Sequence, residues 1–210
     1  MKFMGTYRRS RETNPEKSGP IQELDLLGSV DAANAKYREA LHAYLARNKP
    51  WIDKIARREN VSPEEKEKLF FEAVALVESF PAEDPTQPSK PLLRDLRLQV
   101  AEKFGMEDED LDRIRAYTSV DSPLDILFGG DMFLRIDGRD PDKASVYITF
   151  DYTTNPDKKT TKADVLIKEL PDPDLEEEKY IKAVDEVALD AHKVFLKGGM
   201  RRKTATRAVV

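Results

Sequence analysis

Apolar positions recur at helical spacing through the first half of the chain. Between Asp31 and Pro50 they form one stripe, and the pattern predicts a helix with Asp31 as its N-cap that ends before Pro50. Another helix is predicted over the segment that follows, "WIDKIARREN". We therefore expect two separate helices on either side of the proline.

A capping box marks the next helix. Ser62 suits the N-cap, Pro63 the first helical position and Glu65 the third, ahead of the run "KEKLFFEAVALVESF". A proline-rich connector follows, and then a predicted helix from Leu92 to Phe104. A further short helix is predicted over "EDEDLDRIRAYT".

The period changes to that of strands after Ser122. Three short apolar runs predict strands: "DMFLRI", "SVYITFDYT" and "ADVLIKEL". A long charged helix, "DLEEEKYIKAVDEVALDAHKVFLK", follows them. This order predicts an α+β protein with a helical N-terminal half, then a small mixed β-sheet flanked by helices.

The first two predicted strands match as an antiparallel hairpin in a register that superimposes their apolar positions. The same register places Asp131 opposite Asp151. Its apolar pairs are Met132 with Phe150, Leu134 with Ile148 and Ile136 with Val146.

Two opposed carboxylates need compensation, because like charges facing each other across a strand pair destabilise a sheet. A divalent cation would provide it, since Mg²⁺ binds carboxylates together with water and phosphate oxygens. A raised pKa on one carboxyl, or a register shifted by two residues, would also relieve the repulsion. In another interpretation Asp131 only begins a strand after Gly-Gly, and Asp151 only ends one in an Asx-type turn.

Composition narrows the chemistry. The 210 residues include no cysteine, which excludes disulfides, thiolate zinc sites and a cysteine nucleophile. A metal would have to use oxygen ligands or the two histidines, His42 and His192, neither of which has a ligand-spaced partner in sequence. No secretory signal and no apolar run of about 20 residues is visible, which predicts a cytoplasmic protein without a membrane partner.

Basic residues are concentrated at both ends, although the net charge is −5. Residues 1–28 are predicted to form a basic N-terminal tail, and residues 198–210 a basic C-terminal tail. Either the tails attract phosphate, or they are solvated charged segments.

From Leu92 to Lys197 the sequence resembles the PD-(D/E)XK nuclease superfamily, whose members share an αβββαβ core. The likeness lies in a Gly-Asp that opens one strand and in a second apolar strand with an acid near its end, followed by lysine. It implies a helical region at 29–90 and a restriction-endonuclease-like core at 91–197. By the same resemblance Asp131 and Asp151 would bind Mg²⁺ (or Mn²⁺), which activates water for attack on a phosphodiester.

The resemblance places a lysine two residues after the second acid, where this chain has Thr153. A hydroxyl does not supply that positive charge. Lys158, Lys159 and Lys162 lie nearby in sequence. Lys162, at the start of the third predicted strand, is the preferred substitute, and Lys159 is the next. If none serves, the fold would bind without cleaving.

A second departure is the helix expected after the second-motif strand, where this chain has only "TNPDKKTTK". Either that helix is missing or the strand "ADVLIKEL" lies elsewhere in the sheet. The upstream helix of the family often contributes another acid, for which Glu102 is the candidate.

The leading hypothesis is an Mg-dependent nuclease-like protein that hydrolyses DNA, or another nucleic acid, through Asp131 and Asp151. The alternative is a catalytically inactive nuclease-fold accessory or interaction protein, for example one encoded by a phage. Its protein partner would bind the helical half. A helical scaffold unrelated to nucleases is the third interpretation.

Overall fold

Helices and a mixed sheet alternate through the part of the chain that the computed structural model describes, residues 23–140, 144–155, 157–196 and, for the backbone alone, 201–203. The helices in these residues are α1 (Glu23–Leu27), α2 (Ala35–Ala56), α3 (Pro63–Ser79), α4 (Pro91–Lys103), α5 (Pro123–Phe128) and α6 (Glu177–Leu196). The strands are β1 (Ile114–Thr118), β2 (Met132–Ile136), β3 (Ser145–Thr153), β4 (Val165–Lys168) and β5 (Arg201–Lys203). The predicted α+β class, with its helical N-terminal half, is confirmed.

The strands form a mixed sheet in the order β1-β2-β3-β4. The pairs β1–β2 and β2–β3 are antiparallel, whereas β4 runs parallel to β3. The short strand β5 pairs with the beginning of β3, whereas β4 pairs with the end of β3. The predicted hairpin register is confirmed, since Met132 pairs with Phe150 and Ile136 with Val146.

Each face of the sheet is covered by its own set of helices. One face presents side chains such as Met132 and Ile148 to α1, α4 and α6. The opposite face presents side chains such as Phe133 and Tyr147 to α2, α3 and α5. Successive side chains along β2 and β3 therefore point into two separate hydrophobic cores, because side chains alternate between the two faces of a strand.

Helix α2 runs without interruption through Pro50, so the prediction of two helices is wrong. Its N-cap is Asn34, whose side chain accepts from two backbone N–H groups of the first turn, while Asp31 accepts from the Ala33 N–H just before the helix. Buried Tyr44 and Asn48 bind α3 through the Leu69 carbonyl and the Glu72 carboxylate. We infer that this packing offsets the hydrogen bond that proline removes.

The segment predicted as a short helix before Thr118 is also different. Only Asp108–Arg113 is helical, as a 3₁₀ turn, and the chain then enters β1. Buried Arg97 of α4 donates from Nε to the carbonyl oxygen of Ile114 at 2.7 Å, so α4 holds the beginning of the strand. Pairing with β2 decides the strand, and that contact is not local in sequence.

Local signals fared better at α3 and α4. The Ser62–Glu65 capping box forms with both of its hydrogen bonds. Helix α4 covers Pro91–Lys103 and is followed by Gly105 at φ +61°, close to the predicted bounds.

Parts of both predicted tails belong to the fold. Leu26 and Leu27 of α1 are buried against the core, although they fall within the predicted N-terminal tail. Strand β5 falls within the predicted C-terminal tail. Residues 1–22 and 204–210, with the basic positions of the first eleven residues, lie outside the described part of the chain. No helix of the described part is long and apolar enough to cross a membrane.

Candidate functional site

Asp131 and Asp151 lie at the same end of the β2–β3 hairpin. The ladder of the two strands ends at the pair Met132 and Phe150. Asp131 immediately precedes Met132, and Asp151 immediately follows Phe150. The Asp131 N–H donates to the Phe150 carbonyl at 2.8 Å. Both residues are buried, with 7% of Asp131 and 6% of Asp151 exposed.

The carboxyl of Asp131 is crowded by other acids. Its Oδ2 accepts from the Tyr152 backbone N–H at 2.6 Å. Burial, the carboxylates of Glu23 and Asp125, and more weakly that of Asp151, raise the pKa of Asp131 to about 9. At neutral pH this acid is therefore protonated in the free protein.

Asp125 is a third acid of the site, and the sequence analysis missed it. Asp125 belongs to helix α5, which follows β1 and precedes β2 in the chain and is capped by the Ser122 side chain. Burial raises the pKa of Asp125, and so do the negative charges of Asp121 and Asp151, while hydrogen bonds with the Asp121 backbone N–H and with the Asp131 side chain lower it. The signal that would have found this helix is "SPLD", a serine N-cap followed by proline.

Asp151 is surrounded differently, because it has a cation. Lys158 Nζ lies 2.8 Å from its Oδ1 and 2.7 Å from its Oδ2. The hydroxyl of Thr161 donates to the same Oδ2 at 2.5 Å. Both partners come from the connection between β3 and β4, so this connection supplies the groups that neutralise and bind Asp151.

The preferred substitute lysines lie elsewhere around the site. Lys162 is exposed; its Nζ lies 3.4 Å from the Leu127 carbonyl of α5, and its side chain passes beside Gly129. Lys159 is exposed. Lys158 is thus the lysine that contacts Asp151, whereas roles for Lys162 and Lys159 in catalysis stay predictions.

Glu102 lies away from this cluster. It is exposed on α4, which covers the face of the sheet opposite to α5. Arg97 of the same helix binds the Ile114 carbonyl, at the end of β1 that is remote from Thr118, the partner of Met132. Of the two histidines, His192 packs edge-on against Phe104, and His42 is exposed on α2.

The connection between β3 and β4 contains no helix in its described residues. The chain turns back after Thr153, and β4 begins opposite Phe150 in parallel to β3. Asp164 fixes that return, because its carboxylate accepts from the Thr149 N–H at 2.8 Å and from the Thr149 hydroxyl at 2.7 Å. Of the two possibilities left open by the sequence, the missing helix is the one observed.

The acids suit a cation in charge, though they form no closed ligand cage. Asp125, Asp131 and Asp151 influence one another electrostatically, and Lys158 pairs with Asp151. Among the described residues no group of three or more His, Asp and Glu side chains is arranged to hold a metal ion. Mg²⁺ in proteins is often held by only one or two carboxylates, and water or phosphate oxygens complete its shell.

Comparisons with known proteins give no family for the chain. No protein-family model, no curated protein and no solved structure matches it.

Proposed function

We propose that the protein is an Mg²⁺-dependent, nuclease-like hydrolase of DNA phosphodiesters, with Asp131 and Asp151 as the metal ligands. The observation that supports it best is the meeting of two buried aspartates at one hairpin end, where burial and neighbouring carboxylates force Asp131 to keep a proton. A divalent cation reverses that energetic balance, because it favours the ionised form of every carboxylate around it.

The chain's own residues have separable tasks in this proposal. Asp131 and Asp151 hold the ion, and Asp125 orients Asp131 through their shared hydrogen bond. Lysines of the β3–β4 connection supply the positive charge that binds a phosphate, because Thr153 has no charge to do so. The ion, Mg²⁺ or Mn²⁺, would supply a water of lowered pKa and polarise the phosphate.

The proposed core follows the restriction-endonuclease-like order in part. Helix α4 followed by β1, β2 and β3 corresponds to the αβββ portion, with α5 inserted between β1 and β2. β4 then follows without the intervening helix. We propose the endonuclease-like core on this order and on the position of the two aspartates.

A second candidate is a nuclease-like fold that binds without cleaving. The observation that favours it is the saturation of Asp151 by Lys158 and Thr161, which gives this acid a structural role. Thr153 at the position of the motif lysine points the same way. In that case the helices α2 and α3 are the surface proposed for a protein partner.

The two candidates separate in one experiment. Supercoiled DNA, single-stranded DNA and RNA are incubated with Mg²⁺ or Mn²⁺ and with wild type, Asp131→Asn, Asp151→Asn or Asp157→Asn. The last is the control, since Asp157 is an exposed acid on the same connection. Loss of cleavage in the first two variants only, with folding retained, supports the hydrolase. No metal-dependent cleavage by wild type, together with no heat of Mn²⁺ binding, contradicts it and leaves the binding protein.

A further inference from the structure

We infer that Lys158 and the divalent cation compete for Asp151, and that binding of the cation displaces the ammonium of Lys158 toward solvent. The inference rests on the proposed function, because it concerns the same metal site. It assigns to Lys158 the role of an internal counter-ion, which neutralises Asp151 in the free protein and leaves it when the divalent cation binds.

The contacts of Asp151 carry the first step. Lys158 Nζ lies within 2.8 Å of Oδ1 and within 2.7 Å of Oδ2, so its ammonium bridges both oxygens. The Asp151 side chain is 9% exposed and that of Lys158 35%. The carboxylate is thus buried, while the lysine that pairs with it is partly exposed to solvent.

The need for exchange follows from charge and space. When one cation bridges both oxygens of a carboxylate, a second cation cannot take the same bridging position. Two cations on one carboxylate also repel each other. The bridging ammonium therefore opposes a divalent ion between Asp131 and Asp151, and we expect it to move outward when the ion binds.

The connection is built so that Lys158 can move while its neighbours stay. Asp164 is bound at both the backbone and the hydroxyl of Thr149, which fixes the beginning of β4. Besides its bridge to Asp151, Lys158 is held by a backbone hydrogen bond to the Asn155 carbonyl, at 3.2 Å. Rotation about the flexible stem of the lysine would shift the ammonium without breaking the strand pairing.

Lys159 offers a matched comparison. It is the next residue in the chain, carries the same charge and is exposed, whereas Lys158 is partly buried. If the loss of a positive charge changes Mn²⁺ affinity only through long-range electrostatics, both lysine variants should show the change. An effect of direct competition should appear at Lys158 alone.

Two measurements on the full chain test the inference. In the first, Mn²⁺ is titrated calorimetrically into wild type, Lys158→Met, Lys159→Met and Asp151→Asn. Removal of a direct competitor should tighten Mn²⁺ binding by Lys158→Met on the order of tenfold, a change of roughly 1.4 kcal/mol. Lys159→Met should bind as wild type does, and Asp151→Asn should lose binding.

In the second, wild type is acetylated by a brief pulse of an amine-reactive ester with and without Mn²⁺, and each lysine is followed by mass spectrometry. We expect acetylation of Lys158 to rise severalfold with Mn²⁺ while that of Lys159 is unchanged. This readout uses no variant, so it holds even if Lys158→Met folds poorly.

The outcomes are distinct. Equal or weaker Mn²⁺ binding by Lys158→Met, or acetylation of Lys158 that Mn²⁺ does not change, overturns the competition. If Asp151→Asn still abolishes binding, the proposed metal site stands without it. If neither wild type nor Lys158→Met binds Mn²⁺, both the metal site and the inference fail.

Discussion

The carboxyl of Asp131 is bound across the β2–β3 hairpin by the backbone N–H of Tyr152, at 2.6 Å. This contact fixes a residue that precedes β2 to the outer end of β3 and holds it next to Asp151. The hydrogen bond favours the charged form of Asp131, yet burial and neighbouring carboxylates outweigh it and raise the pKa to about 9. The acid is held in a position where its charge is unfavourable.

Asp131→Asn should make the protein more stable at alkaline pH. An aspartate in the unfolded chain titrates near pH 4, about 5 units below the pKa in the folded state. The folded state therefore binds more protons between those two values, and stability falls as the pH rises through this window. Asparagine keeps an oxygen for the Tyr152 N–H and has no charge to bury, so we expect its advantage over wild type to grow by up to about 1.4 kcal/mol for each pH unit within this window. Urea denaturation at a series of pH values measures it.

The gain should shrink to nothing toward pH 4, where Asp131 is protonated in both states. Asp157→Asn, on the exposed connection, should follow the wild-type curve throughout. A difference between Asp131→Asn and wild type that is constant from pH 4 to pH 8 would show that the folded state does not raise the pKa of Asp131.

Arg135 joins two carboxylates at the other end of the sheet. Its Nε donates to Asp137 at 2.7 Å and its Nη1 to Glu78 at 3.1 Å, with 27% of its side chain exposed. Arg135→Met leaves both acids without this partner, and we expect a loss of about 1–3 kcal/mol, below the cost for a fully buried pair. Equilibrium urea denaturation of the variant gives the value.

Two controls accompany this variant. Arg139→Met removes a pair to Asp110 in which 74% of the arginine side chain is exposed, and should change stability by less than about 0.5 kcal/mol. Adding Glu78→Gln to Arg135→Met should recover part of the loss. Equal losses for Arg135→Met and Arg139→Met would argue against a burial effect.

Local signals predicted the parts of the fold that local contacts decide. The Ser62–Glu65 capping box and the β2–β3 register depend on residues close in sequence, and both were correct. The register is the most informative of these signals, because it predicts that Asp131 and Asp151 lie at one end of the hairpin.

What the sequence did not predict depends on distant partners. Strand β1 exists because β2 pairs with it and α4 binds its first carbonyl. Asp125 joins the site only because α5 folds back beside Asp131. The choice of Lys158 over Lys162 depends on how the β3–β4 connection turns, which spacing alone does not determine.

Pro50→Ala should stabilise the protein. Pro50 is exposed within α2, where proline removes one backbone hydrogen bond and crowds the preceding turn. Alanine restores the donor but enlarges the conformational freedom of the unfolded chain. We expect a net gain of about 1–2 kcal/mol, seen as a rise in the midpoint of urea denaturation. A lower midpoint would show that α2 depends on a bend at the proline.

Gly129→Ala should weaken metal binding through the backbone. Gly129 caps α5 at φ +66° and is followed by Gly130 and Asp131. A left-handed conformation costs a residue with a Cβ about 1–2 kcal/mol, and any relaxation of that strain moves the chain that positions Asp131. We expect a loss of stability of that order and weaker Mn²⁺ binding by calorimetry.

Gly105→Ala provides the matched control, because Gly105 has φ +61° and nothing lies within 4 Å of a Cβ placed there. It ends α4, at the end of the sheet remote from the aspartates. The two variants should lose similar stability, and only Gly129→Ala should lose Mn²⁺ affinity. A parallel loss of affinity in both would trace the effect to global destabilisation. Wild-type affinity in Gly129→Ala would show that the end of α5 does not position the site.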